Sequence, residues 1–410
     1  MARARHRPLG SAGERSPAPD SARHGAAAGV VARVTDNAAT KWAEIDVAAI
    51  RDNTRAVVRL VVGTGTAVMA VVKGNGYGHG AVEAARAALA GGATWLAVSS
   101  VPEGLELREA KIEAPILQLG YTPPQALAEA VAVGLSLTVY EMGTVRALRE
   151  RPLPARARLH LKVDTGMHRL GATADDALAL AQAIHAAPNL ELEGVYTHFA
   201  SAADDPAFTR EQLARFLAAR ERIWRDTGLR FLSHAANSAG LLRVRESRLD
   251  LVRAGLLIYG ISPDPAWVGE PVLRPALSWR TLVTNVLTVP AGETVGYGRT
   301  WTASGPRRVA TLAVGYADGV QRRQSNRGHV LVRGKRAFIV GTVSMDQTTV
   351  DVTEIPGVTI GDVATLIGLD GGSELSASAV AAAVDTISWE VLCAISARVP
   401  RRYIPDCGSI

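Results

Sequence analysis

Residues 158–197 read RLHLKVDTGMHRLGATADDALALAQAIHAAPNLELEGVYT. The stretch opens with a β-rich run at 158–164, passes through an Ala/Leu-rich amphipathic segment at 177–184, and closes with a second β-rich run at 190–197. A strand, a helix and a strand in that order make a unit of parallel sheet covered by a helix. Outward from it, similar β runs stand at 67–72, 95–100, 115–119, 135–139, 230–234 and 249–254, which brings the number to eight. Amphipathic segments such as 80–90 and 208–224 lie between them. Eight strand–helix units in roughly two hundred residues is the size of a (β/α)₈ barrel. An open doubly wound sheet uses the same alternation and is the alternative.

Beyond Arg274-Pro275 the texture changes. The runs at 278–289, 308–314, 329–332, 337–343, 347–352 and 363–367 are short, β-branched and separated by Gly and Pro, with helical stretches at 376–384 and 387–396. This reads as a β domain with sandwich or barrel character. The expected fold class is therefore α/β: a (β/α)₈ TIM-like barrel over 40–275, followed by a C-terminal mainly-β domain over 276–410. Residues 1–39, rich in Pro, Ser, Arg and Ala, read as a disordered N-terminal extension. The run at 42–47 could pair with either domain.

Composition narrows the function. The chain has 410 residues, 48% of them hydrophobic, and a net charge of +6. The first forty residues carry six arginines against Glu14, Asp20 and Asp36, so half of the excess sits in the extension. No basic run interleaved with aromatics follows, so nucleic acid is not an expected partner. No apolar run approaches the length of a membrane span. Two cysteines, Cys393 and Cys407, make neither a disulfide framework nor a CxxC-type zinc site, and fit a reducing, cytoplasmic setting. There is no His-Glu-x-x-His pattern and no Gly-x-Ser-x-Gly elbow, so no metal is expected.

In a barrel of this kind chemistry belongs at the C-terminal ends of the strands. The first strand ends at Lys73 and leads into Gly74-Asn75-Gly76-Tyr77-Gly78-His79-Gly80. A lysine desolvated at a strand end becomes a nucleophile or a Schiff-base former, and glycines let backbone approach a ligand; a tight turn with a snorkelling lysine is the plainer reading. The loop is not a Walker A motif, since Lys73 precedes the glycines, nor a dinucleotide fingerprint. The fifth strand brings Lys162, Asp164 and Arg169, either an ion-paired set or a carboxylate clamp. Strand ends six and seven carry His198 and His234, the latter followed by Asn237 and Ser238, which opens a helix suited to phosphate. After the eighth come Arg253, Gly255 and Leu256; Arg253 could pair with Asp250. In the β domain Gly296-Tyr297-Gly298, Gly315-Tyr316-Ala317-Asp318-Gly319 and Ser344-Met345-Asp346 stand out, each readable as a turn with a packed ring.

Taken together these segments resemble alanine racemase, the fold-type III pyridoxal 5′-phosphate (PLP) enzyme, across residues 41–403. The motifs occur in the family's order, from Trp42-Ala43-Glu44-Ile45-Asp46 through the Lys73 loop to Arg398-Val399-Pro400. The resemblance implies that Lys73 carries the Schiff base and is one of two catalytic bases, and that Tyr297 is the other, supplied across a homodimer interface. One base would remove the Cα proton while the other returns one from the opposite face. It further implies that Arg253 partners the pyridine nitrogen, and that His198 and His234 belong to a hydrogen-bond chain between Tyr297 and Arg253. Tyr77, Ser238, Gly255 and Leu256 match phosphate contacts, with Asn237 beside them in the cofactor site. Arg169 and Met345 match substrate-carboxylate contacts, Tyr316 and Asp346 entry-gate residues, and Lys162 a position carbamylated in some members. The implied partner is a small amino acid and the implied product D-alanine for peptidoglycan.

The chain departs from the family's pattern in places. Gly74 and Gly76 stand where Ala is frequent, which implies a looser loop. His168 stands where Gly is usual and Ser344 where Cys is common. Ala397 stands where many members place a phosphate-contacting Tyr, which implies weaker cofactor affinity. A broad-specificity racemase acting on serine shares nearly all these motifs. A related PLP decarboxylase would place a carboxylate at the pyridine nitrogen, which Arg253 opposes. A non-enzymatic PLP carrier would lack residues 276–410.

Overall fold

The computed structural model describes residues 39–263, 267, 269 and 271–404. The expected N-terminal extension, apart from Ala39, and Cys407 lie outside the described residues.

β1 (Lys41–Asp46) leads into a helix over Val47–Arg59, whose first turn is capped by Asp46 accepting from the Ala49 N–H at 2.8 Å. Eight strands follow: β2 (Ala67–Val71), β3 (Trp95–Val98), β4 (Ile116–Gln118), β5 (Leu135–Val139), β6 (Ala157–Lys162), β7 (Leu190–Tyr196), β8 (Leu232–His234) and β9 (Leu251–Ala254). They form one parallel sheet in the order β8-β7-β6-β5-β4-β3-β2-β9. The first strand thus pairs with the last, as a barrel requires and an open doubly wound sheet does not. Between β8 and β9 the Asp250 N–H donates to Ser233 O at 3.0 Å and the Arg253 N–H to Ala236 O at 3.0 Å. All eight runs read from the sequence are strands here.

Side chains alternate across each strand. One parity, including Val68, Ala70, Leu137, Leu159, Leu161 and Val252, joins the main core beneath the helices. The other fills the barrel interior, which is divided. On one side Met69, Val71, Ala97, Leu117 and Leu251 form a separate apolar cluster. On the other, Ser136, Thr138, His160, Lys162, Tyr196, His234 and Arg253 are polar or aromatic and buried. The interior is a packed core with a polar half, and that half leads up to the strand ends.

The remaining strands are β10 (Leu277–Val289), β11 (Thr294–Val295), β12 (Trp301–Thr302), β13 (Arg307–Leu312), β14 (His329–Val332), β15 (Lys335–Ile339), β16 (Thr348–Asp351), β17 (Val363–Asp370), β18 (Ser373–Leu375) and β19 (Arg401–Ile404). β10, β13, β16, β15, β14 and β17 pair in that order and β17 pairs back to β10, so the second domain is a closed ring of strands. Closure removes edges that would otherwise be exposed. β1 adds antiparallel to β10, Ala43 opposite Trp279, and parallel to β19. The run at 42–47 therefore belongs to the β sheet, although it precedes the barrel in the chain. Among the described residues no helix is long and apolar enough to cross a membrane.

Candidate active site

The strand ends of the barrel open into a cleft of about 840 Å³. Its lining includes Lys73, Tyr77, Lys162, Arg169, His198, Asn237, Ser238, Arg253, Gly255 and Leu256. The structure therefore brings together the barrel residues that the sequence reading gave cofactor or substrate contacts, while His234 stands behind the lining, bonded to Arg253.

Lys73 stands just beyond β2. Gly74, Asn75, Gly76 and Tyr77 all have positive φ, between 52° and 61°, so the chain makes a left-handed turn there. Left-handed backbone costs an L-residue roughly 1–2 kcal/mol, which explains the glycines and the Asn at this point. The turn is held by Asn75, whose Oδ1 accepts from the Ala81 N–H at 3.0 Å, and by Glu103, whose carboxylate accepts from the Gly74 N–H at 2.8 Å and the Ser99 N–H at 2.6 Å. Burial, then Arg169, pull the Lys73 ammonium below the usual lysine range, against the pull of Glu103. Among the described residues nothing forms a hydrogen bond or ion pair with its Nζ.

Tyr77 is the next element of the site. A Cβ built on Gly255 would lie 2.9 Å from Tyr77 Oη, so only glycine lets the hydroxyl stand against that backbone. The Gly255 N–H donates to Ser238 Oγ at 3.1 Å. Asn237 caps the helix Ser238–Arg243, its side chain accepting from the Gly240 N–H at 2.9 Å. Tyr77 and Ser238 thus form a cradle of neutral hydroxyl donors, with the Gly255 N–H behind them bonded to Ser238.

Arg253 is 3% exposed. One NH1 hydrogen points at His234 Nδ1, 2.8 Å away, and NH2 donates to Thr197 O at 2.7 Å and Ala235 O at 2.9 Å, with His198 Nδ1 at 3.2 Å. No bond to Asp250 forms; Asp250 instead accepts from the Ser233 N–H at 2.7 Å. Burial, then the Arg253 charge, depress both His198 and His234 well below the ordinary histidine range, so both rings are neutral.

Asp164 does not pair with Lys162 or Arg169. Its Oδ1 accepts from the Gly166, Met167 and His168 N–H groups at 2.9, 3.0 and 3.2 Å and fixes the turn after β6. Both cations are thereby left to the cleft. Burial, then Arg253 and Arg169, bring the Lys162 amine down to about 8. With Lys73, Lys162, Arg169 and Arg253 against Glu103 and Asp204, the lining is cation-rich and suits a phosphate and a carboxylate. Among the described residues no His, Cys, Asp and Glu cluster could hold a metal ion.

The β-domain residues stand apart. Tyr297 is 74% exposed, Met345 52% and Tyr316 43%, and none lines the cleft. They are held near one another. Thr342 Oγ1 donates to Tyr297 O at 2.9 Å, the Tyr316 N–H donates to Ser344 O at 3.0 Å, and the Ala317 N–H donates to Met345 O at 3.0 Å. Asp346 pairs with Arg398 at 2.6 Å, and Lys41 with the buried Asp318 at 2.7 Å. Within one chain the expected constellation is therefore split between a cleft and an exposed patch. Ala397 is exposed and outside the cleft lining.

Sequence reasoning missed Glu103, His160, Glu193 and Tyr196. Glu103 could have been found as an acid five residues beyond the end of β3 at Val98. His160 and Glu193 sit inside strands, where no strand-end search looks, and Tyr196, which closes β7, was passed over for His198 two residues on.

The donor set fits PLP: an amine of lowered basicity, a buried guanidinium, and a neutral-donor cradle closed by a glycine. Comparison with known proteins gives the family of the chain. Residues 45–263 match the model of the alanine racemase N-terminal domain, and residues 276–403 that of the C-terminal domain. The chain is 45% identical over 367 residues to an alanine racemase of Symbiobacterium thermophilum, covering 88% of this chain and 96% of that one. It is 43% identical over 369 residues to one of Desulforamulus reducens, covering 88% and 98%. Among solved structures, the alanine racemase of D-cycloserine-producing Streptomyces lavendulae superposes with a TM-score of 0.84 at 38% identity over 90% of this chain and 97% of that one. That of Bacillus anthracis, with bound L-Ala-P, gives 0.84 at 37% identity over 90% and 95%.

Proposed function

The chain belongs to the alanine racemase family, and from that premise we propose that it interconverts L- and D-alanine with PLP, in the cytoplasm, supplying D-alanine for peptidoglycan. The observation that carries the reading is Lys73, unpartnered and of lowered basicity, in the same cleft as the buried Arg253. When bound, PLP supplies an aldehyde that captures the substrate amine and a conjugated ring that acidifies Cα–H.

The chain's own residues do the rest. Tyr77, Ser238 and the Gly255 backbone would hold the phosphate, with Leu256 beside them. Arg253 would face the ring nitrogen; a guanidinium stays charged and has no proton to spare, so it would keep that nitrogen unprotonated and limit delocalisation into the ring. That favours proton return to Cα over transamination. Arg169 would take the substrate carboxylate, where its planar fork fits best. Lys73 handles the proton on one face. The second proton-handling group is Tyr297 of a second copy, whose exposure in the single chain supports a dimer with shared sites; Met345, Tyr316 and Asp346 would reach the neighbour's cleft with it.

Chiral chromatography of the PLP-supplemented protein incubated with L-alanine in D₂O tests this, with L-serine and L-lysine alongside. D-alanine carrying deuterium at Cα, and none from Lys73→Ala, is the expected outcome. Comparable turnover of serine or lysine would move the reading to a broad-specificity racemase. No D-product with PLP bound would refute it.

A further inference from the structure

Inside the barrel, a line of side chains runs from Arg253 away from the cleft, and each bond in it has a defined direction. We propose that Glu193, acting through His160 and His234, positions Arg253 and locks both imidazoles in a single neutral tautomer. The functional consequence rests on the racemase reading; the relay itself does not.

The direction follows from the two ends. A guanidinium only donates, so His234 Nδ1, 2.8 Å from Arg253 NH1, carries no proton. The proton of a neutral His234 is then on Nε2, which lies 2.8 Å from His160 Nδ1 and donates to it. His160 in turn carries its proton on Nε2, 3.2 Å from Glu193 Oε2. A carboxylate only accepts, and the same oxygen also accepts from Ser136 Oγ. A flipped or doubly protonated ring would set N–H against N–H at one of these contacts. Both rings are fully buried, and burial lowers the basicity of each. Burial pushes the Glu193 carboxyl up, but hydrogen bonds from His160 and Ser136 outweigh it and hold it below the ordinary range. Arg158 Nε stands 3.9 Å from the other carboxylate oxygen.

The local backbone is shaped for this line. The β6–β7 register slips between Leu159, opposite Leu192, and His160, opposite Gly194, so Glu193 is an extra residue in β7. A bulge re-aims a side chain, here into the barrel. A Cβ on Gly194 would lie 2.4 Å from His160 Nδ1, so glycine makes the space the ring occupies. The Tyr196 ring stacks on His234, 4.6 Å between centroids and 4° between planes, which fixes the second ring. Among the described residues no hydrogen bond engages Arg253 Nε, so the relay and the carbonyls hold the guanidinium through NH1 and NH2 while leaving that donor for the cleft.

The test is the ¹⁵N spectrum of the histidine side chains in the full-length protein, with and without PLP, read beside alanine kinetics. In the unaltered chain His160 and His234 should show protonated Nε2 and bare Nδ1 throughout the neutral pH range. Glu193→Gln, whose amide can donate as well as accept, should mix the tautomers and lower kcat about tenfold with KM changed little. Protonated Nδ1 on either ring of the unaltered chain overturns the proposal, and that spectrum decides even if Glu193→Gln does not fold. So does Glu193→Gln with unchanged tautomers and kcat. Absence of D-alanine from the unaltered chain would instead count against the racemase reading, since the tautomers are read without turnover.

Discussion

Lys162 is 6% exposed and faces Arg253 and Arg169 with no carboxylate bonded to it. Its folded pKa of about 8 lies below the ordinary 10.5. The sign follows from proton counting. Between those values the unfolded chain holds a proton that the folded chain has released, so stability rises with pH across this window. Below about 8 both states are protonated and the burial penalty is present in full. Lys162→Met, which keeps the length and removes the charge, should therefore raise the melting temperature at neutral pH, and the gain should shrink as pH climbs toward 10.5. Thermal melts of both proteins across that range check it; a gain independent of pH would mean that packing, not charge, is responsible. The same lowered basicity makes Lys162 a neutral amine at accessible pH, and its neighbours would welcome an anion there. An anion at this position, such as the carbamate that some members of the family carry there, would pair with Arg169 and reverse the predicted pH trend.

The left-handed turn Gly74–Tyr77 shows what an element asks of its residues. It carries Lys73 out of β2 and returns the chain to the helix Ala81–Ala90 within a few residues. Asn75 serves twice: it tolerates φ of 52°, and its Oδ1 satisfies the Ala81 N–H at the start of that helix. Asn75→Ala should cost about 1–2 kcal/mol, from a lost cap and a strained backbone. Urea denaturation would register it, and PLP titration should show looser binding because Tyr77 lies in the same turn. Sequence could place this loop and its lysine, because glycines after an apolar strand are a local signal. It could place the eight strands for the same reason, since each is a run of β-branched and apolar residues bounded by turns. It could not place Glu193. A bulge changes which side chain points inward, and nothing local in Leu-Glu-Leu-Glu-Gly marks where the register slips. Pairing of β1 with the second domain was equally hidden, because its partners are far away in the chain.

At the scale of the whole molecule, the unexplained feature of the single chain is the separation between its two sets of candidate site residues. The cleft has Lys73, Arg253, Tyr77 and Ser238, while Tyr297, Tyr316 and Met345 stand exposed on the β domain. Large aromatic and Met side chains on one patch are typical of buried interface centres rather than of solvated surface. In a two-fold dimer each patch would reach the other copy's cleft, so that every site takes one proton-handling group from each chain. Lys73→Ala and Tyr297→Phe homodimers should then both be inactive, since each lacks one base in both sites. Mixed and allowed to exchange subunits, they form heterodimers in which one site carries both defects and the other carries neither. Random reassortment should therefore restore about a quarter of the unaltered specific activity, because half the dimers are mixed and one of their two sites is intact. Activity recovered on mixing, and lost again when the subunits are cross-linked before mixing, would establish shared sites. No recovery despite exchange, seen by mass spectrometry of the heterodimer, would place both bases within one chain. It would require the β domain to swing over its own cleft.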